Sequence, residues 1–266
     1  FTRDVDKMVI DSEDEYQRVR EFVDSYIPQL SRRIKPFEGD DPIFDHYGVE
    51  IEISRALGRK VWLKSGGYII IDQTEALSAI DVNTGRYVGK RTLEDTILKT
   101  NLEAVREIAY QLRLRNIGGI IILDFIDMER EDNRRKVYSA LQEALSSDKA
   151  KTTISHISPI GLIEMTRKRI RESLGRTLCD TCPYCDGRGY VKSSRTVCYE
   201  VLREIRRAFA KADEKKALVT VNSLVADMLY DEERQGVEEL EKEFQKKVVI
   251  KADPNLHQEQ YEVVMV

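Results

Sequence analysis

Histidine is nearly absent from this chain of 266 residues: His46, His156 and His257 are the whole supply. Spread so far apart, they argue against a mechanism built on two cooperating imidazoles and turn attention to carboxylates. Long apolar runs are missing too, and residues 120–123 are typical of the longest. A membrane span needs about 18–20 apolar residues, and no charged-then-apolar leader opens the chain, so a soluble, cytoplasmic protein is expected. Neither sign of charge dominates, with 43 Lys and Arg against 47 Asp and Glu, a formal charge of −4. That excludes attraction of nucleic acid by the whole surface and requires any anion site to be local. Cysteine is confined to Cys179, Cys182, Cys185 and Cys198, a clustering that fits a metal knuckle and not a disulfide framework. The first residue is Phe1 and not Met, so the chain reads as part of something longer.

With 41% hydrophobic and 34% charged residues, there is apolar material for one large or two small domains of α/β class. Residues 7–11 are expected as a short strand. Ser12 with Glu15 makes a capping-box start for a helix that puts Tyr16, Val19, Val23, Ile27 and Leu30 on one face. Residues 61–64 and 68–72, joined by Ser65-Gly66-Gly67, read as a hairpin, and residues 75–83 as the next strand of a mixed sheet. Thr92 with Asp95 is a weaker capping signal before a helix of about six turns through Leu93, Ile97, Val105, Ile108 and Leu112. Residues 120–125 are almost uninterruptedly apolar, the pattern of a strand buried on both faces, with Asp124 near its end. A helix over 133–146, a strand over 151–157 and a basic helix over 161–174 complete this unit. Beyond Lys192 a helix through Val197, Val201, Ile205 and Phe209, a strand over 218–222, two helices and strands over 248–251 and 261–266 make a second, smaller α/β domain. Its stretch 231–243 sets seven carboxylates against Arg234 and Lys242, a solvated face that repels nucleic acid.

Asp81 and Asn83 lie two apart on an expected strand, so both side chains leave one face; Asp124 sits near the end of another. Two carboxylates and a carboxamide offer hard oxygen ligands for Mg²⁺ and leave positions for water and a phosphate. Such a metal lowers the pKa of its bound water and neutralises charge on a phosphoryl group, which suits phosphodiester hydrolysis. The plainer alternative is that each Asp caps a strand end or pairs with an arginine. An Asp ending a buried apolar strand must in any case be paired, metal-bound or shifted in pKa. Asp127, three positions on, falls off that face. Arg167, Lys168, Arg169, Arg171 and Arg176, opposed only by Glu172, form a basic patch that either tracks a phosphate backbone or is simply solvated. Lys151 and His156 flank one expected strand within reach of the same substrate, though a lone His beside an apolar run is more often a structural hydrogen-bonder. Cys182-Pro183-Tyr184-Cys185-Asp186-Gly187-Arg188-Gly189 is a C-x-x-C-x-G-x-G knuckle whose glycines let backbone N–H groups face metal-bound thiolates. Structural zinc takes four ligands, so the site must recruit Cys179 and Cys198 or a second copy of the chain. The C-x-x-C-x-x-C spacing is also seen in iron–sulfur ligation, but Pro183 and the glycine-rich turn fit zinc better.

Several blocks now stand in one order: Ser65-Gly66-Gly67, Thr74-Glu75-Ala76-Leu77, Ala79-Ile80-Asp81-Val82-Asn83, Thr100-Asn101-Leu102-Glu103-Ala104, Gln111-Leu112-Arg113-Leu114-Arg115, Asp124-Phe125-Ile126-Asp127-Met128, Glu164-Met165-Thr166-Arg167 and Cys182-Pro183-Tyr184-Cys185. Together they resemble the catalytic region of the ribonuclease E/G family of bacterial endoribonucleases, through nearly the whole chain. The resemblance implies a metal-dependent endonuclease that cuts single-stranded, A/U-rich RNA to 5′-phosphate and 3′-hydroxyl products, in ribosomal and transfer RNA processing and messenger RNA decay. It implies that Asp81 and Asp124 hold the catalytic Mg²⁺ while Asn83 orients the scissile phosphate or the attacking water. It makes Cys182 and Cys185 half of a structural Zn²⁺ site completed by the same pair of a partner chain, and pairs such homodimers into a homotetramer.

The resemblance also implies a domain plan: 1–58 as the end of an RNase H-like subdomain, 59–178 as a DNase I-like catalytic subdomain, 179–192 as a zinc link and 193–266 as a small oligomerisation domain. The family's S1-type RNA-binding domain and its 5′-monophosphate pocket lie upstream of everything present, so this chain is expected to lack 5′-end sensing. Lys151, Arg167, Lys168 and Arg169 are the candidates for holding RNA, and Cys179 lies outside the family's cysteine pair. The alternative reading is a zinc-linked oligomerisation and RNA-docking fragment that is inactive without N-terminal domains. A third is a Mg²⁺ nuclease or phosphatase acting on DNA or small phosphoesters.

Overall fold

The computed structural model describes residues 5–85, 93–158 and 160–266, and the chain divides into two compact units, Phe1–Cys179 and Asp180–Val266. The first opens with β1 (Met8–Ile10), α1 (Glu13–Tyr26), a 3₁₀ turn (Pro28–Arg33) and β2 (Ile34–Pro36), the two strands pairing in parallel. Ser12 caps α1 by accepting from the Glu15 N–H at 3.4 Å. The Glu15 carboxylate turns to Arg18 instead of closing the box. Tyr16, Val23 and Ile34 form a small core of their own. The short helices α2 (Ile43–His46) and α3 (Val49–Leu57) then lead into a larger sheet.

That sheet is built from β3 (Lys60–Trp62), β4 (Tyr68–Gln73), β5 (Leu77–Asn83), then α4 (Leu93–Leu114), β6 (Gly119–Asp124), α5 (Glu131–Ser146), β7 (Thr152–Ile157) and β8 (Leu162–Arg167), followed by α6 (Leu174–Leu178). The strand order is β3-β4-β5-β6-β8-β7, and β5 with β6 is its one parallel pair. A parallel pair needs a crossover, which α4 supplies. The expected cap Thr92 lies outside the described residues. Strand alternation sends Ile69, Ile71, Ile80, Val82, Ile121, Leu123, Ile163 and Met165 to one face, where they bury against Val105, Ile108 and Leu112 of α4 and Val137, Leu141 and Leu145 of α5. Each such side chain contributes roughly 1.5–3 kcal/mol.

Two expectations fail here. The strand carrying Asp124 is covered on one face only: Ile120 is 51% exposed, while Ile121 and Leu123 are fully buried. Its apolar run therefore does not mark a strand buried on both faces. The basic helix expected over 161–174 is strand β8 followed by a loop and the short α6. The period-2 alternation of Ile163, Met165 and Arg167, all buried, with exposed Glu164 and Thr166 prevailed over the count of helix-favouring Arg and Lys.

The second unit has α7 (Ser194–Lys211), β9 (Lys216–Val221), α8 (Ser223–Tyr230), α9 (Arg234–Phe244), β10 (Lys247–Ala252) and β11 (Tyr261–Met265). The central β9 pairs in parallel with β10 and antiparallel with β11. Val197, Val201, Ile205 and Phe209 of α7 pack on this sheet as their spacing predicts. Ser193 and Asn222 cap α7 and α8 by accepting from Thr196 and Leu224 N–H groups. The acidic stretch is held by surface pairs, Arg234 to Glu238 and Arg195 to Glu233 among them. Among the described residues no helix is long and apolar enough to cross a membrane.

Candidate active site

The register places Asp81 of β5 directly opposite Asp124 of β6. In neighbouring strands, about 4.8 Å apart, their side chains leave the sheet on one face, the one opposite α4 and α5. Asn83, two residues along, shares it and donates from Nδ2 to Asp81 Oδ2 at 2.7 Å. The structure thus brings together the three residues chosen from the sequence. Burial first, then the charges of Asp81 and Asp127, hold the Asp124 carboxyl above the usual carboxylate range. Asp127 is therefore an electrostatic neighbour of the pair. Among the described residues no ion pair is formed by Asp81, Asp124 or Asp127.

The donor set fits Mg²⁺. Among the described residues no group of three His, Cys, Asp or Glu side chains converges. Two carboxylates and a carboxamide are the sparse protein complement that Mg²⁺ accepts while keeping several waters.

The chain ends that carry these residues are fixed from behind. Asn101 of α4, fully buried, donates to Ile126 O at 2.9 Å and accepts from Ile126 N at 3.2 Å, clamping the segment between Asp124 and Asp127. Burial opposes the charge of Glu94, but hydrogen bonds from Asn133, Arg130 N and Glu129 N outweigh it and hold its pKa below the usual range. Those bonds tie the start of α4 to the start of α5. On the other side Glu103 accepts from Ser65 N at 2.8 Å, and a Cβ on Gly67 would come within 2.6 Å of Asn83 O. The close approach of the hairpin turn to the end of β5 explains that glycine. Asn101 and Glu103 carried a readable signal, being polar residues in or beside the buried stripe of a helix. Gln111 and Arg115 are likewise buried, and Arg115 donates to Gln111 Oε1 at 2.7 Å, so that block holds the helix and not a ligand.

The basic candidates do not join this site. Because β6 and β8 are antiparallel, with Gly119 opposite Arg167 and Asp124 opposite Leu162, Arg167 lies at the far end of the sheet, about 17 Å away along the strand. It is 4% exposed, held by Asp148 at 2.8 and 3.1 Å and donating to Ile117 O at 2.7 Å. A buried, fully engaged guanidinium does not contact RNA, which corrects its selection as an RNA-binding residue. Lys151 and Lys168 are exposed at that same end. Arg169 lies across Gly118 and Gly119, donating to Gly118 O at 3.1 Å, and with Arg171, Arg176, Asn116 and Ser173 lines a cavity of about 400 Å³. His156 faces the Tyr138 ring, 6.3 Å between centroids, and not the carboxylates.

In the second unit Cys182 and Cys185 sit in a turn with Asp186, Gly187 and Gly189 at positive φ. Gly189 N–H donates to Cys185 Sγ at 3.3 Å. The backbone N–H groups of Cys185 and Tyr184, then the Cys185 thiol, hold the Cys182 thiol below its ordinary range. Two neighbouring cysteines are half of a tetrahedral zinc set. The turn is anchored by Tyr184, whose carbonyl meets His257 Nε2 at 2.6 Å and whose ring lies 4.1 Å from the imidazole. Cys198 is not a further ligand. It is fully buried in α7, its thiol donating to Val225 O and pushed up to about 11 by burial.

Comparison with known proteins agrees with these two units. The family model described as "Ribonuclease E/G family" matches residues 1–170, and the one described as "RNase E/G, Thioredoxin-like domain" matches residues 181–266. The chain is 52% identical over 261 residues to the Ribonuclease G of Salmonella typhimurium (strain SL1344), covering 98% of this chain and 53% of that protein. It is 50% identical over 262 residues to the Ribonuclease G of Escherichia coli (strain K12), with 98% and 54% coverage. To the Ribonuclease E of the same strain it is 40% identical over 240 residues, 90% of this chain and 23% of that one. It spans about half the length of the Ribonuclease G relatives. With a family model matched over more than half its length and such relatives along nearly all of it, the chain belongs to the ribonuclease E/G family.

Proposed function

We propose that the chain carries the catalytic site of a Mg²⁺-dependent endoribonuclease that cuts single-stranded, A/U-rich RNA to 5′-phosphate and 3′-hydroxyl ends. The observation that carries this is the cross-strand pair Asp81–Asp124, with Asn83 bonded to Asp81, on a solvent-facing sheet surface. Asp81 and Asp124 would hold Mg²⁺, which when bound supplies a lowered water pKa and charge neutralisation at a phosphoryl group. Asn83 fixes the orientation of Asp81 through Nδ2 and keeps Oδ1 to accept from an attacking water. The clamp of Asn101 on Ile126 holds Asp124 in register, so the acceptor groups are preorganised before substrate arrives.

The domain plan, with a DNase I-like subdomain over 59–178 preceded by an RNase H-like remnant, is part of this proposal. So is a Zn²⁺ shared between Cys182 and Cys185 of two chains, in a homodimer that pairs again. Exclusion of Cys198 from the ligand set favours that sharing.

The test is cleavage of an end-labelled A/U-rich single-stranded RNA, with Mg²⁺ and with chelator, and mapping of the product ends. Internal Mg²⁺-dependent cuts bearing 5′-phosphates support the assignment. Binding without cuts sinks it for this chain and leaves the docking-module reading. For the zinc link, a molecular mass unchanged by a strong chelator would count against the shared site.

A further inference from the structure

Trp62 is the only tryptophan in the chain and is 64% exposed. It lies on β3, the edge strand of the catalytic sheet, and takes no part in the core. Opposite it in register stands Tyr68 of β4, the rings 5.4 Å apart and inclined at 67°. Lys60 sets its ammonium 3.9 Å from the Trp62 centroid and 3.6 Å from that of Tyr68. A charged lysine suits a sheet edge, but a bare indole there has no structural reason.

The register gives it a chemical one. Tyr68 is opposite Asn83, so Trp62, Tyr68 and Asn83 form one row on the open face. The adjacent row is Lys60, Ile70, Asp81 and Asp124. The indole is thus two strand spacings, about 10 Å, from Asn83. Lys60, Trp62, Tyr68 and Asn83, with Gly66 and Gly85, line one cavity of about 700 Å³, within the range of about 300–1,000 Å³ usual for ligand pockets.

We propose that Trp62 and Tyr68 form a base-stacking subsite for an unpaired nucleotide flanking the scissile phosphodiester, with Lys60 meeting the phosphate between them. Aromatic faces interleaved with a cation are what a single strand of nucleic acid binds, because every base has a π-face. The cation now resting on the rings is available to a phosphate once a base stacks. A duplex keeps its bases stacked on one another and has none to offer, so the platform selects single strands beside the carboxylates. This inference rests on the nuclease reading of Asp81 and Asp124 and adds the groups that position the substrate.

The single indole makes the test direct. Asp81→Asn protein is titrated with a short A/U-rich oligoribonucleotide, with the same oligomer made abasic at successive positions, and with a blunt duplex, reading tryptophan emission. The expected result is quenching by the single strand, loss of quenching at one abasic position, and little response to the duplex. Trp62→Ala should weaken single-strand binding about 5- to 100-fold and raise KM for cleavage more than it lowers kcat. Trp62→Phe should restore most of the loss, and Trp62 is exposed enough that neither change threatens folding. Quenching without cleavage by the wild-type chain keeps the platform and removes the nuclease reading. Cleavage with unchanged KM in Trp62→Ala removes the platform and keeps the nuclease. RNA binding that leaves the indole emission unchanged overturns the proposal.

Discussion

At one end of the six-stranded sheet Asp81 and Asp124 face each other across β5 and β6, with no ion pair to either among the described residues. At the other, Arg167 is sunk beneath β8 with both of its guanidinium edges bonded, to Asp148 and to the Ile117 carbonyl. Both ends hold ionised groups that sequence reasoning would assign to chemistry. Among the described residues, only one leaves charge exposed and without an ion pair. A buried charge must be paired, and a broken buried pair is far costlier than the intact one is stabilising. Exposed like charges are screened by water and so persist at small cost, and a pair of them that shifts a pKa is a candidate functional site. Compensation and not residue type separates the buried arginine from the exposed aspartates.

The largest contrast should come from removing the charges. Asp81→Asn or Asp124→Asn is expected to lower cleavage by about 10⁴-fold, about 5.5 kcal/mol of barrier, with the circular dichroism spectrum unchanged. Full activity in either variant would erase the distinction between the two ends. Arg167→Met should do the reverse, costing about 3–5 kcal/mol of unfolding free energy by stranding Asp148. RNA affinity of the folded protein should not change, and a specific loss of RNA binding would return Arg167 to the interface.

The same pair sets a pH dependence. Burial works against the Asp148 carboxylate, but the hydrogen bonds and charge of Arg167 and the Ala150 N–H hold its folded pKa below the ordinary value. Its contribution is therefore present above about pH 3.9 and lost as pH falls through the lowered folded value. Arg167→Met should flatten that acid arm in a denaturation series.

Asn101→Ala sharpens the comparison from the middle of the sheet. Losing both bonds to Ile126 should cost about 1–3 kcal/mol of stability and lower cleavage by about tenfold or more, with KM little altered. Loss of stability alone would mean that the segment from Asp124 to Asp127 holds its place unaided. The smallest effect is on metal-free protein. The raised pKa of Asp124 means that its stability contribution is full below the unfolded pKa and is lost as pH rises through the folded one. Asp124→Asn should therefore raise Tm at neutral pH, on the order of one degree because exposure screens the repulsion. That gain should disappear near pH 3. A fall in Tm at neutral pH would contradict the like-charge account.

Asp81, Asn83 and Asp124 were legible because strand alternation fixes which residues share a face, and the register then set the two aspartates opposite each other. The helix stripes of α4 and α7 were legible for the same reason of periodicity. The basic segment was misjudged because Arg and Lys favour helices locally, whereas Ile163 and Met165 had places waiting in the sheet core. Burial of Arg167 was invisible because its partner, Asp148, is 19 positions away. One-sided burial of β6 was invisible because four apolar residues in a row look alike whether one or both faces are covered. The platform of Trp62 and Tyr68 gave no motif, since it consists of an edge-strand register.

The two aspartates are 43 positions apart, from 81 to 124, and meet through the parallel pairing of β5 with β6 in the six-stranded sheet. A hairpin closes locally, but this contact waits until α4 has crossed over and β6 has docked beside β5. Non-local pairings of this kind form late in folding. During synthesis the pair is therefore expected to form only once β6 has left the ribosome, so a half-made chain carries its two aspartates apart.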